Sequence, residues 1–147
     1  MEVSHKTKDT LLKAGWYPNR KVDITEAEKL IVSRGFVVYE PVKKFLEEFM
    51  DLNIEAKSDK MKGRIEIHNT IIKDLYYPGF RRSGESEAER NAKEMLVPIG
   101  EICDGNFLLY ISETGKMYCG MGKLGDNAWE GWERLIMEKG FMLWGSY

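Results

Sequence analysis

The sequence predicts the α+β class: a single domain, residues 1–147, with a mixed, mainly antiparallel sheet that includes a C-terminal three-stranded meander, and helices packed around it. The main observation lies in Val97–Met121, where three short apolar segments are separated by the turn sequences DGN and ETG. The order of the segments is the second observation, because helical patterns come first and strand-like patterns follow. That segregation favours α+β over a doubly wound parallel sheet.

The first helix is predicted over Lys8–Ala14, with Leu11 and Leu12 on its inner face. Gly15 follows as the stop, because glycine readily adopts the left-handed conformation that ends many helices.

Two more helices are predicted in the first third of the chain. Thr25 and Glu28 form the sequence of a capping box, and Gly35 marks the end of that helix. The third helix should begin near Pro41, a residue favoured in the first turn. Its inner face is apolar at three- and four-residue spacing: Val42, Phe45, Leu46, Phe49 and Met50.

Two short strands and a loop are predicted next. The strands cover Leu52–Ala56 and Arg64–His68, and in the second strand Ile65 and Ile67 alternate with polar residues that should form a wet face. Within the segment Asn69–Glu85, the residues Tyr76–Arg82 are interpreted as a loop because they contain proline and glycine.

The second half contains two further predicted helices. Ser86 and Glu89 form a capping-box sequence for a helix over about Glu87–Leu96, and the last helix is expected over about Ala128–Glu138 with a cap at its start. Between the meander and the last helix, Gly122–Asn127 is interpreted as a glycine-rich connection.

Within the meander, Phe107–Ile111 is apolar on both faces, which places it at the centre of the sheet with helices over at least one face. Cys103 and Cys119 should lie two strands apart, roughly 9–10 Å, which exceeds the reach of a disulfide. We therefore expect buried thiols. The aromatic tail, residues 141–147, should either pack against the core or mediate self-association.

Composition limits the class of function. The net charge of −2 argues against a nucleic-acid-binding module. Residues 1–14 mix charged and apolar letters, so neither a signal peptide nor a membrane span is predicted. We expect a cytoplasmic protein that contacts no nucleic acid or membrane directly and is a monomer or a weak homodimer.

No residue set in the sequence indicates catalysis, a cofactor or a metal site. Gly120–Gly125 reads GxGxxG, but it follows an antiparallel strand, so a turn is favoured over a dinucleotide site. His5 lies near the N-terminus, and His68 should be solvated on the wet face of its strand. A deep cleft holding a carboxylate or His68 with a strongly shifted pKa would revive the interpretation as an enzyme.

Two groups of side chains are candidates for contact with a partner. Six carboxylates are expected on solvent-facing positions: Glu47, Glu48, Asp51, Glu85, Glu87 and Glu89. They are most simply explained as charged helix exteriors, and an acidic contact patch is the alternative. A loop with the residue types of interface hot spots is the second group: Tyr76, Tyr77, Phe80, Arg81 and Arg82. A loop that seals the sheet edge is about equally compatible with that pattern.

Short motifs follow one another in a fixed order. They are AGW at 14–16, PNR at 18–20, PIGE at 98–101, GKMY at 115–118, and LG at 124–125 before an amphipathic helix. Over roughly residues 8–137 this ordered set resembles the third subfamily of the SUKH superfamily of bacterial immunity proteins. Asn19 stands where that subfamily usually has glycine, and the last helix has large residues, AWEGWERLI, where smaller ones are usual.

The resemblance implies a mixed α+β fold and a protective binding protein without enzymatic chemistry. Such proteins are typically encoded beside a secreted polymorphic toxin, often a nuclease or deaminase, and neutralise it by direct binding. We predict six residues that contact the toxin domain: Tyr77, Phe80, Arg82, Glu85, Glu87 and Glu89. We predict structural roles for six others: Gly15, Trp16, Arg20, Pro98, Gly100 and Gly105.

Among the structural residues, Gly15, Gly100 and Gly105 should occupy stop or turn positions, and Arg20 should bind a carboxylate or carbonyls beside Trp16. The alternative is that the protein is a non-catalytic regulatory or scaffold module, the role that the resemblance implies for superfamily members of eukaryotes. A toxin gene next to this gene would support immunity, whereas an isolated gene would support regulation.

Overall fold

The computed structural model describes residues 2–147 and confirms the α+β class. Within those residues the helices are α1 (His5–Ala14), α2 (Thr25–Ser33), α3 (Glu40–Phe49), α4 (Ile72–Leu75), α5 (Glu87–Ala92) and α6 (Ala128–Ile136). The strands are β1 (Asn53–Lys57), β2 (Ile65–Asn69), β3 (Leu96–Ile102), β4 (Phe107–Ser112), β5 (Met117–Cys119), β6 (Gly122–Gly125) and β7 (Met142–Leu143).

The seven strands form one sheet in chain order, β1 to β7, and every neighbouring pair is antiparallel. The predicted meander corresponds to β3, β4 and β5, and β4 is the central strand, as the sequence indicated. The connection predicted over Gly122–Asn127 is wrong in part, because β6 occupies its first four residues. A strand that begins and ends in glycine carries little of the β-branched pattern by which strands are recognised.

The two faces of the sheet are covered unequally. Along β4, Leu109 and Ile111 point into the main core, which α1, α3 and α6 cover. A smaller cluster on the other face contains Tyr118, with Tyr110 and Trp144 packed against it, and α5 lies over it. Alternation along β4 therefore divides the molecule into a helical face and a second face that is covered only in part.

The inward face of β2 is the reverse of the one predicted. His68 is 1% exposed, whereas Ile65 is 47% exposed. In the β1–β2 ladder His68 lies opposite Ile54, a core residue, so both side chains point to the helical face. The prediction of a solvated His68 is wrong, because pairing with β1 sets the face of the whole strand.

The helix boundaries differ from prediction at particular residues. The first helix begins at His5, three residues earlier than predicted, because the Ser4 side chain accepts the Thr7 amide hydrogen as an N-cap. Leu11 is buried as predicted, but Leu12 is 49% exposed, so its inward placement is wrong. Gly15 ends the helix with φ of 114°, as predicted.

At α2, Gly35 has a positive φ of 90° and follows the C-cap residue Arg34, as predicted. The capping box predicted there is wrong: Thr25 is already helical, and its amide and hydroxyl donate to the Asp23 carboxylate. The third helix has proline in its first turn and buries the predicted apolar residues.

The residues predicted as a loop, Tyr76–Arg82, contain neither helix nor strand, as predicted, and the short helix α4 lies just before them. The helix α5 is shorter than predicted. The fifth helix ends at Ala92 because Lys93 adopts a left-handed conformation, with φ of 60°. Leu96, predicted as its last residue, starts β3 instead. The last helix ends at Ile136, two residues before the predicted end, and the side chain of Asn127 caps its start as predicted.

The tail packs against the sheet: β7 pairs with β6, and the Trp144 ring stacks on Tyr118 with centroids 5.5 Å apart. Cys103 and Cys119 are free thiols, and of the two only Cys119 is fully buried. Among residues 2–147, no helix combines the length and the apolar character needed to cross a membrane.

Candidate partner-binding surface

The residues predicted to be structural around Trp16 join α1 to the end of α3. Trp16 Nε1 donates to the Glu48 carboxylate at 2.9 Å. The Arg20 guanidinium donates to the carbonyls of Glu48 and Met50, both at 2.7 Å. The predicted role of Arg20 is confirmed, and Glu48 faces this junction rather than open solvent.

The remaining structural residues hold the centre of the sheet. The buried Tyr76 hydroxyl donates to the Pro98 carbonyl at 2.7 Å. Gly105 lies in the β3–β4 turn with φ of 86°, as predicted. The prediction for Gly100 is wrong, because it lies inside β3, where a Cβ atom would collide with the Asn69 carbonyl of β2. Glycine there permits a close approach of two strands.

The predicted contact loop, which we define as residues 76–86, is anchored by Arg34 at the end of α2. Its guanidinium donates to the carbonyls of Tyr76 at 3.2 Å, Tyr77 at 2.6 Å and Phe80 at 3.2 Å. The Arg34 carbonyl in turn accepts the Arg82 amide hydrogen at 2.9 Å. Sequence reasoning treated Arg34 only as a helix end, since nothing local indicates its partners 42 to 46 residues away.

Aromatic side chains form a connected group on the contact loop. Phe80 lies 5.7 Å from Tyr77 and 6.3 Å from Phe36, measured between ring centroids. Tyr77 is 58% exposed. Val37, which follows Phe36 in the chain, is 55% exposed. The structure therefore brings Tyr77 and Phe80 together as predicted and adds Phe36, which the sequence did not single out.

The second part of the predicted site is a partly buried ion pair. Arg82 Nη1 and Glu89 Oε2 lie 2.5 Å apart, and the Glu89 side chain is 3% exposed. The Glu89 carboxylate also accepts the amide hydrogens of Ser86 and Leu96. The Ser86–Glu89 capping box is confirmed, but the placement of Glu89 on a solvent face is wrong.

Two opposing effects act on the ionisation of Glu89. Burial raises the pKa of its carboxyl. The hydrogen bonds from Arg82, Ser86 and Leu96 together lower this pKa by more than burial raises it, so the pKa lies below its ordinary value. The hydrogen bond to Glu89 also raises the pKa of Arg82. Glu89 therefore stays ionised and holds the Arg82 side chain in the wall of a groove beside the contact loop.

A groove of about 210 Å³ opens between the contact loop and the second face of the sheet. Its wall carries Arg82 and Glu89, and its apolar lining comes from Phe36, Phe80, Leu96, Pro98, Leu108 and Tyr110. Glu85 also lines the groove; its side chain is exposed and lies 4.0 Å from Arg90. Four of the six predicted contact residues thus line the groove: Phe80, Arg82, Glu85 and Glu89. The other two, Tyr77 and Glu87, are exposed outside it.

His68, the side chain that could have indicated an enzyme, is enclosed in the sheet. Its Nδ1 accepts the Cys103 amide hydrogen at 3.0 Å. Burial lowers the pKa of His68 to about 4, and the nearby Asp104 offsets part of that effect. The imidazole of His68 is 1% exposed and is not accessible to a substrate in this conformation. The shift of its pKa is therefore explained by burial. In residues 2–147 no group of three or more His, Cys, Asp or Glu is arranged to hold a metal ion.

A continuous antiparallel sheet packed against helices, with an anchored aromatic loop beside a groove, defines a small α+β protein. The sequence matches the model of the SUKH-3 immunity protein family over residues 3–138. The chain therefore belongs to the SUKH-3 immunity protein family. Searches of the curated proteins and of the solved structures gave no match.

Proposed function

We propose that this protein binds a cognate toxin domain of a polymorphic toxin system and neutralises it in the cytoplasm of the producing bacterium. Membership of an immunity protein family carries the proposal. The toxin is a nuclease or a deaminase, and the protein acts by contact, without catalysis. Inhibition of this kind requires an interface of about 800 Å² on each partner.

The contact loop and the groove beside it form the centre of the proposed interface. Tyr77 and Arg82 are residue types enriched at interface hot spots, and the hydrogen bonds from Arg34 hold the loop carbonyls in place before binding. A preorganised loop loses little conformational entropy on association. Glu85 and Glu87 lie at the rim, where charges mainly affect the association rate.

Co-expression tests the proposal. The gene is expressed with the toxin domain encoded beside it, and we expect cells to survive and the two proteins to co-purify as a stable complex. Cell death in the presence of folded protein would contradict immunity. A gene without a toxin neighbour, and a protein that protects against none, would favour the regulatory or scaffold alternative.

The rim charges have their own test. Changing Glu85 and Glu87 together to lysine should slow association with the toxin and weaken the dependence of binding on salt, because steering by these charges is lost. The control is Glu55→Lys, an exposed carboxylate on β1 that is not part of the proposed interface. Equal association rates for all variants and the wild type would remove these two residues from the interface.

A further inference from the structure

A second groove, of about 470 Å³, lies between α2, the end of α3 and α4. Its floor is apolar and consists of Ala27, Leu30, Met50 and Ile72. Met50 and Ile72 belong to the buried core, while Ala27 and Leu30 are only half-buried and leave apolar surface open to solvent. We name this feature the α2–α4 groove.

The rim of the α2–α4 groove is mainly acidic. Asp23, Glu26 and Asp51 stand on it against one cation, Lys73. Hydrogen bonds from the side chain and backbone of Thr25 lower the pKa of Asp23, so this carboxylate is ionised at neutral pH. Across residues 2–147, no lysine, arginine or histidine lies within ion-pair distance of Asp23 or Asp51.

The carboxylates on the rim of the α2–α4 groove have fewer cations nearby than the carboxylates at α5. There Arg82 neutralises Glu89, and Arg90 lies near Glu85. On the groove rim only Glu26 has a cation nearby, Lys29 at 3.6 Å, and both of these side chains are largely exposed. The three carboxylates of the rim outnumber its one lysine, Lys73, so an excess of negative charge coincides with open apolar surface in the α2–α4 groove.

We infer that the α2–α4 groove binds a lysine or arginine side chain of a basic protein partner. The aliphatic stem of such a side chain packs on Leu30 and Ile72, and its cationic head faces Glu26 and Asp51. This division into apolar stem and charged head matches the floor and the rim. The inference rests on the proposed function for the identity of the partner, since an enzyme that binds a polyanionic nucleic acid presents basic side chains around its active site.

The binding chemistry can be tested without the toxin. The probe is n-butylguanidinium, which carries the stem and head of arginine, titrated into the ¹⁵N- and methyl-labelled protein at low salt. We expect saturable shifts at Leu30, Met50 and Ile72, and weaker binding as salt is raised. Two reference compounds, n-pentanol and guanidinium, lack the head or the stem and should each bind more weakly.

Variants that change the charge of the rim should change the affinity for n-butylguanidinium in opposite directions. Glu26→Gln and Asp51→Asn together should weaken the binding of n-butylguanidinium about three- to fivefold, the range expected for two exposed ion pairs. Asparagine is suitable at position 51 because the backbone there has a φ of 65°. Lys73→Gln should strengthen binding, because it removes the competing cation. The control, Glu55→Gln, changes the net charge like a rim variant but lies on β1 and should leave affinity unchanged.

Other outcomes would overturn the inference. Equal shifts from n-pentanol would mean an apolar occupant, and equal shifts from guanidinium would mean charge screening alone. Shifts at the groove that grow with protein concentration, without any probe, would mean a second copy of this chain. Absence of shifts in the correctly folded wild type would show a groove that binds only water. None of these results bears on protection from the toxin, which the co-expression experiment decides separately.

Discussion

At the residue scale, the contact loop depends on two arginines with different roles. Arg34 binds three loop carbonyls and so fixes the path of the backbone. Arg82 is bound by Glu89, which also accepts one amide hydrogen from Ser86 at the start of α5 and one from Leu96 at the start of β3. A single carboxylate thus caps a helix, orients a surface cation and joins two elements.

Glu89→Gln should destabilise the protein by about 2 kcal/mol, the order expected for hydrogen bonds to a charged, buried group. Chemical denaturation measures this change. The control is Glu87→Gln, an exposed residue in the same first turn of α5, which should cost about 0.5 kcal/mol through the helix dipole alone. Equal losses in both variants would contradict the role assigned to Glu89.

The stabilisation from Glu89 should depend on pH in a defined direction. Because the pKa of Glu89 in the folded state is below the ordinary glutamate value of 4.5, the carboxylate contributes fully above that value. Its contribution is lost as pH falls through the lower folded-state pKa. The difference in unfolding free energy between wild type and Glu89→Gln should therefore be constant near pH 7 and shrink below pH 4.5; a difference that grows on acidification would oppose this account.

Tyr77→Ala should weaken toxin binding by about 2 kcal/mol, the usual threshold for a hot spot. The matched control is Tyr17→Ala, because Tyr17 is similarly exposed but lies outside the proposed interface. Calorimetric titration with the inactive toxin domain compares the two variants. A loss for Tyr17→Ala as large as that for Tyr77→Ala would remove the contact loop from the interface.

At the scale of elements, the sequence predicted most of the helices and the meander because their signals are local. Caps, stops and apolar spacing identified α1, α3 and α6 to within a few residues. The strand β6 was missed because it is short and begins and ends in glycine, and β7 was missed because its two residues pair with β6 across the whole of α6. His68 was placed on the wrong face because its partner strand sets its direction.

The contact between β2 and β3 gives a prediction about Gly100. Gly100→Ala should destabilise the protein by roughly 1–3 kcal/mol, because the added methyl group meets the Asn69 carbonyl and the strands must separate. The control, Gly120→Ala, adds a methyl group whose nearest neighbour, a Phe107 ring atom, lies at an ordinary contact distance of 3.8 Å. Thermal unfolding distinguishes them, and equal melting temperatures would contradict the close approach.

At the scale of the whole molecule, the candidate site could be predicted only in part. Residue types identified Tyr77, Phe80 and Arg82 as candidates, because aromatic and arginine side chains are enriched at interface hot spots. The groove beside them, with Leu108 and Tyr110, arises from the second face of the sheet and has no sequence signal. Arg34 and the buried state of Glu89 likewise follow from contacts made only in the folded chain.

All seven strands belong to one sheet, whose first strand covers residues 53–57 and whose last strand covers residues 142–143. We therefore predict that residues 1–147 unfold as one cooperative unit, as a single domain should. Circular dichroism and tryptophan fluorescence should give the same denaturation midpoint. Two separate transitions would indicate more than one domain.

The central claim is that this SUKH-3 family protein neutralises a toxin by stoichiometric contact. The most direct measurement is residual toxin activity as a function of the molar ratio of immunity protein to toxin domain. Contact predicts a linear decrease that reaches zero at about one immunity protein per toxin and does not change with incubation time. Progressive inactivation by a small fraction of an equivalent, or full toxin activity in the presence of excess folded protein, would contradict the claim.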